Sequence, residues 1–148
     1  MPVVQSTYAS TMSAAYAGMI ANLEPTNIIT RTLKLAALGF GKVAVLGANA
    51  DECRAPDASN TKYLGITVRD QSVDPSSPNE YRINDNVAIL TKGVVWVTAG
   101  ANVSAGDAVY FVPATGVITN SSVGNTIIPN AKFDTGGSSG ALVKLRLA

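Results

Sequence analysis

Residues 81–119 read YRINDNVAILTKGVVWVTAGANVSAGDAVYFVPATGVIT. Apolar and polar side chains alternate along this stretch, and the alternation is broken at Lys92-Gly93, Gly100, Gly106-Asp107 and Thr115-Gly116. A period of two places one set of side chains on a buried face and the other outside. Interruptions by glycine at such short intervals predict an antiparallel sandwich or barrel with tight turns. Strands are expected at 87–90, 94–98, 108–112 and 116–119, with a turn at Lys92-Gly93.

Working outward, the same reading covers the chain from Gly39 onward. Residues 42–46 (KVAVL) and 63–68 (YLGITV) predict strands, and residues 47–60 a loop carrying Asp51, Glu52, Pro56 and Asp57. Residues 70–79 (DQSVDPSSPN) form a polar loop with two prolines. Residues 124–140 read as loop, with a buried patch at 126–128. The closing ALVKLRL, 141–147, alternates so that Lys144 and Arg146 share the outward face and Leu142 or its neighbours point inward.

The first 38 residues are different: rich in alanine, serine and threonine and poor in charge. Residues 13–23 (SAAYAGMIANL) carry enough alanine for a helical turn, but Gly18 and Pro25 oppose a longer helix. The segment 28–38 (IITRTLKLAAL) is ambiguous, its β-branched start tilting toward strand. The expected organisation is an extended N-terminal arm, 1–38, on an all-β, jelly-roll-like barrel or sandwich, 39–148. Such an arm frays unless it packs on another chain or on its own barrel.

Of the 148 residues, 47% are hydrophobic and only 14% charged, against roughly 25% charged in an average soluble domain. A chain this poor in charge is expected to have much of its surface covered by partners. The net charge of +1, with basic residues scattered, gives no electrostatic footprint for nucleic acid. No apolar run approaches the roughly 20 residues of a membrane-spanning helix. The N-terminus lacks the basic and apolar regions of a secretion signal, and lone Cys53 fits a reducing compartment, so synthesis in the cytoplasm is expected.

Catalytic chemistry finds little to work with. There is no histidine, which removes histidine-based triads and Cys/His zinc sites. Asp51, Glu52 and Asp57, and likewise Asp70 and Asp74, match no calcium-loop spacing and read as solvated loop carboxylates. Gly39-Phe40-Gly41 opens a glycine pattern like that of dinucleotide sites, but a strand is expected after it where a helix is required. Trp96, with Tyr110 and Phe111 expected on a neighbouring strand, could form an aromatic cluster. Without interleaved basic residues it reads as core or subunit contact rather than a base-stacking platform. No enzyme activity, cofactor or metal is expected.

The order of these segments resembles the structural cement, or capsid decoration, proteins of tailed bacteriophages. The carrying residues are Gly18-Met19-Ile20-Ala21 in the arm, 39–45 (GFGKVAV) and 63–66 (YLGI). They continue through 81–90, 93–97 (GVVWV), 103–110 (VSAGDAVY), 116–119 (GVIT) and the closing 141–147. The resemblance implies a small β-barrel with an N-terminal arm, on the outside of an icosahedral head, bridging neighbouring major capsid proteins against the pressure of packaged DNA. It also implies a homo-oligomer, for which a dimer is preferred to a trimer; from the charge and apolar runs above, no nucleic-acid or membrane partner is expected. Tyr8, Tyr16, Met19, Ile20 and Leu23 are the expected contact residues of the arm, since aromatic and methionine side chains are favoured at interface cores. Two other readings remain open: a tail, baseplate or connector subunit, and a carbohydrate-binding β module built on Trp96.

Overall fold

The computed structural model describes residues 15–148; Tyr8 lies outside them. Among the described residues there is no helix, and eleven strands follow one another. These are β1 (Asn27–Leu33), β2 (Leu38–Gly39), β3 (Val43–Leu46), β4 (Glu52–Arg54), β5 (Tyr63–Thr67) and β6 (Glu80–Tyr81). The remainder are β7 (Asn86–Thr98), β8 (Ala108–Phe111), β9 (Ile118–Thr119), β10 (Thr126–Phe133) and β11 (Leu142–Leu147).

Five strands close into a barrel in the order β1-β4-β3-β5-β7, because β1 pairs on both its edges. On one edge it runs parallel to β4, with Thr32 opposite Glu52. On the other it runs antiparallel to β7, from Ile28 opposite Leu90 to Thr32 opposite Asn86. The sheet thus begins at Asn27, inside the segment assigned to the arm. β7 then extends beyond the barrel, and β11, β10, β8 and β9 follow it side by side. β2 and β6 form a separate two-stranded ribbon.

The turn expected at Lys92-Gly93 is absent; β7 is one strand of 13 residues. Lys92 pairs with Asn27 of β1 and Gly93 with Leu147 of β11, with the β1 ladder skipping Thr91. Here the strand changes partners rather than direction. Glycine is required at the exchange because its φ is +126° and a Cβ would stand 2.8 Å from the Thr26 methyl.

Two segments read as loop contain strands. β4 is only three residues long, too short for alternation to show. β10 carries Pro129 and Asn130 (φ +58°), which interrupt its ladder with β8 between Ile127 and Lys132. The bulge breaks the period-two pattern on which the sequence reading relied. In β11 the buried residues are Val143, Leu145 and Leu147, while Leu142 lies on the outward face with Lys144 and Arg146.

Two apolar cores lie on opposite faces of the shared strands. One contains Leu33, Phe40, Ala44, Cys53, Tyr81, Val87 and Ile89. The other gathers Val43, Val45, Ile66 and Leu90 with Val95, Val97, Phe111, Phe133 and Leu145. Neighbours in sequence therefore point into different cores: Ala44 between Val43 and Val45, and Ile89 beside Leu90. A strand covered on both faces needs a continuous apolar run, which explains VAVL and VAIL. The Phe40 and Tyr81 rings meet edge-on at 5.2 Å, and the Tyr81 hydroxyl donates to the Val68 carbonyl at 2.6 Å.

Candidate interaction surface

The carboxylates singled out from sequence are braces for their own loops. Asp57 Oδ1 accepts from the Ser59 hydroxyl at 2.6 Å and amide at 2.7 Å, and its other oxygen lies 3.1 Å from Arg54. Asp74 repeats the arrangement with Ser76 and pairs with Arg82 at 2.7 Å. Glu52 accepts from the Asn49 amide side chain at 3.1 Å and backbone at 3.2 Å. These side-chain donors, the serine hydroxyls and the Asn49 amide, hold all three carboxyls below their ordinary range. Asp70 accepts from the Ser72 amide, and Asp51 is exposed. Among the described residues no group of three or more His, Cys, Asp or Glu is placed to hold a metal. After Gly39-Phe40-Gly41 comes strand β3, so the glycines lead into sheet, not to a helix N-terminus.

The end of the arm has more definite architecture. Residues 18–21 run antiparallel beside β7, with Ile20 opposite Val95. The Gly18 amide donates to Trp96 O at 2.7 Å, the Trp96 amide to Met19 O at 2.9 Å and the Ala21 amide to Val94 O at 2.8 Å. From the other side the Arg69 amide donates to Gly18 O at 2.8 Å. Gly18 has φ +84°, and a Cβ there would stand 2.9 Å from both the Arg69 and Gly41 amide nitrogens. Only glycine lets these backbones approach so closely. Past a turn in which Asn22 Oδ1 accepts from the Glu24 amide, Glu24 reaches Arg146 at 2.7 Å, and Arg146 also holds Asp134 at 2.9 Å.

This pinned segment presents apolar side chains to solvent. Tyr16, Met19, Ile20 and Leu23, with Ile28 at the start of β1, are five of the eleven large apolar side chains exposed among the described residues. Tyr16, Met19 and Ile20 line one pocket of about 460 Å³ together with Gly18, Val68, Arg69 and Gln71. Leu23 stands apart, wholly exposed within the turn. Sequence reasoning did not single out Arg69, whose guanidinium lies 5.0 Å from the centre of the Tyr16 ring and 5.4 Å from that of Phe40. Nothing in the local sequence around YLGITVR marks it, because both rings come from other segments.

Trp96, Tyr110 and Phe111 do not lie on neighbouring strands, since β11 and β10 separate β7 from β8. Trp96 is half-buried, with Lys144 Nζ 5.3 Å from its ring centre. Phe111 is buried and its ring partner is Tyr63, at 6.3 Å. Tyr110 sits half-buried opposite Ile127 and Thr119.

The family model described as "Structural cement protein (E217 gp24/Pam3 gp6)" matches residues 4–148. No curated protein sequence matches the chain. Among solved structures, a chain from the capsid of Myoviridae phage XM1 superposes with a TM-score of 0.78 at 21% identity, covering 95% of this chain and 94% of that one. At this identity the likeness shows a common fold. The head fiber gp8.5 N base of bacteriophage phi29 gives a TM-score of 0.48 at 13% identity, covering 84% of this chain and 95% of that one.

Proposed function

Because this chain belongs to the structural cement proteins of bacteriophages, we propose that it binds the outer surface of an icosahedral head and bridges neighbouring major capsid proteins. Membership carries with it a structural role in the virion and association with the capsid shell. Beyond that, the protein acts as a homo-oligomer, preferably a dimer, and without catalysis. It clamps the shell against internal pressure by burying surface on more than one subunit at once.

The observation that carries this reading is the apolar display at the end of the arm. Met19 and Ile20 lie in the segment that backbone hydrogen bonds pin to β7, and the Tyr16 carbonyl accepts from the Met19 amide at 3.2 Å, yet all three side chains remain exposed. A side chain fixed before binding loses less conformational entropy when a partner covers it. Residues 1–14 continue from this point, and a chain of that length reaches at most roughly 50 Å from Ala15. They include Tyr8, a further anchor in this reading. Repetition of a modest contact at every equivalent position of a shell multiplies its effect.

The test is decoration of expanded heads purified without this protein, imaged by electron cryo-microscopy. The full chain is expected between capsomers, on the outer surface. A chain lacking residues 1–14 is expected to keep its melting temperature and to lose most of its occupancy. Full decoration by the truncated chain would show that residues 1–14, Tyr8 among them, are not part of the clamp, and bare heads with the full chain would overturn the capsid reading itself. Sedimentation of the free protein is expected to give a dimer.

A further inference from the structure

Arg69 is unusual among the five arginines of this chain. Arg54, Arg82 and Arg146 each pair with a carboxylate, and Arg31 donates to the Thr30 carbonyl. The Arg69 guanidinium donates to no acceptor among the described residues; it is held only by the Tyr16 and Phe40 rings. Ring faces attract the cation but leave its in-plane N–H donors unused, and those donors match a carboxylate in geometry. The neighbouring acid, Asp70, already accepts from the Ser72 amide.

Arg69 lines the 460 Å³ pocket together with Tyr16, Met19 and Ile20. An unneutralised cation in a pocket with apolar walls fits an acidic side chain flanked by apolar ones. The chain's own first residues do not supply it: MPVVQSTYASTMSA, 1–14, contains no aspartate or glutamate. We propose that this pocket receives an aspartate or glutamate, with an adjoining apolar side chain, from a subunit of the capsid shell. Arg69 binds the carboxylate, and Tyr16, Met19 and Ile20 cover the apolar neighbour. The proposal rests on the capsid reading and names the chemistry of its contact.

The experiment titrates the full-length chain, Arg69→Gln and Arg69→Lys onto expanded heads purified without this protein, at low and high salt, with melting curves of each variant. The wild-type chain is expected to decorate. Arg69→Gln is expected to bind at least about tenfold more weakly at low salt, as for loss of one partner of a charged contact. Arg69→Lys, which keeps the charge but not the fork, is expected to fall between, and the gap is expected to narrow as salt screens the pair. Melting temperatures are expected to stay within a few degrees of one another. Equal decoration by wild type and Arg69→Gln would overturn the proposal while leaving the capsid reading intact. A loss of binding that is independent of salt and matched by a lowered melting temperature would reduce Arg69 to a structural role. A wild-type dimer that Arg69→Gln dissociates in the absence of heads would assign the pocket to a second copy instead. Failure of the wild type to decorate would remove the capsid reading, and this proposal with it.

Discussion

Gly18 illustrates how a single missing side chain fixes the direction of a whole segment. Alanine there would place an L-residue in left-handed backbone, costing about 1–2 kcal/mol, and would also press on the Arg69 and Gly41 amides. Gly18→Ala is therefore expected to destabilise the protein by about 2 kcal/mol or more, measured as a lower urea midpoint with an unchanged slope. Cys53 gives a second prediction. Burial pushes its thiol up to about 11, against the nearby Arg31 charge, which acts the other way. Native protein at pH 8 is expected to resist a thiol-labelling reagent and to react fully in denaturant. Tyr81, raised to about 12 mainly by burial, has the same sign. Between pH 9 and about 11 the unfolded Cys53 ionises while the folded one does not, so stability falls with rising pH across that window. On the acid side the depressed carboxyls of Asp57 and Asp74 stabilise the fold above their unfolded values. That contribution is lost as pH falls through their lowered native ones. Denaturant midpoints measured across both ranges should decline toward each extreme.

At the scale of elements, β7 carries the fold. Ile89 and Leu90 are adjacent and both fully buried, each facing a different core. Ile89→Ala and Leu90→Ala are each expected to cost about 2–5 kcal/mol in urea melts; a strand with a wet face would give one large and one small value. By contrast, Glu24→Ala removes half of an exposed ion pair and is expected to cost under about 1 kcal/mol. The sequence made most of these strands legible because alternation is local: VAVL, YLGIT, AVYF and the closing LVKLRL all lie in strands near their expected places. Exchange of partners at Gly93 was not legible, since a glycine that bends a strand and one that turns the chain look alike. The Pro129-Asn130 bulge hid β10 for a related reason. Strand order is a non-local property, so proximity in sequence did not make Trp96 and Phe111 neighbours. Of the expected arm anchors, Tyr16, Met19 and Ile20 come together at one pocket, whereas the cation beside them depended on rings contributed by distant segments.

For the molecule as a whole, the sharing of β7 couples barrel and extension. Cys53 lies in one core and the chain's single tryptophan, Trp96, stands on β7 beyond Gly93, between Val95 and Val97 of the other. Unfolding followed by Cys53 labelling and by Trp96 fluorescence is expected to give coincident transitions, the signature of one cooperative unit. Separate midpoints would show that the extension melts independently. The barrel also closes late in sequence terms, since β1 must find β7, as Ile28 does Leu90. Refolding is accordingly expected on the millisecond-to-second scale typical of sheets built from distant segments.

The antiparallel seam between residues 18–21 and β7 has a mechanical consequence. Its hydrogen bonds lie across the direction in which the N-terminal segment runs, and Gly18 is held from both sides, by Trp96 and by Arg69. Tension arriving from the N-terminal side along that segment would load these bonds together, in shear, rather than peel them open one after another. The strand that receives the load is the long one common to both cores. A tug on the arm is thus delivered to the strand that both cores share, and the seam resists a pull along its own length better than one that lifts the segment off β7.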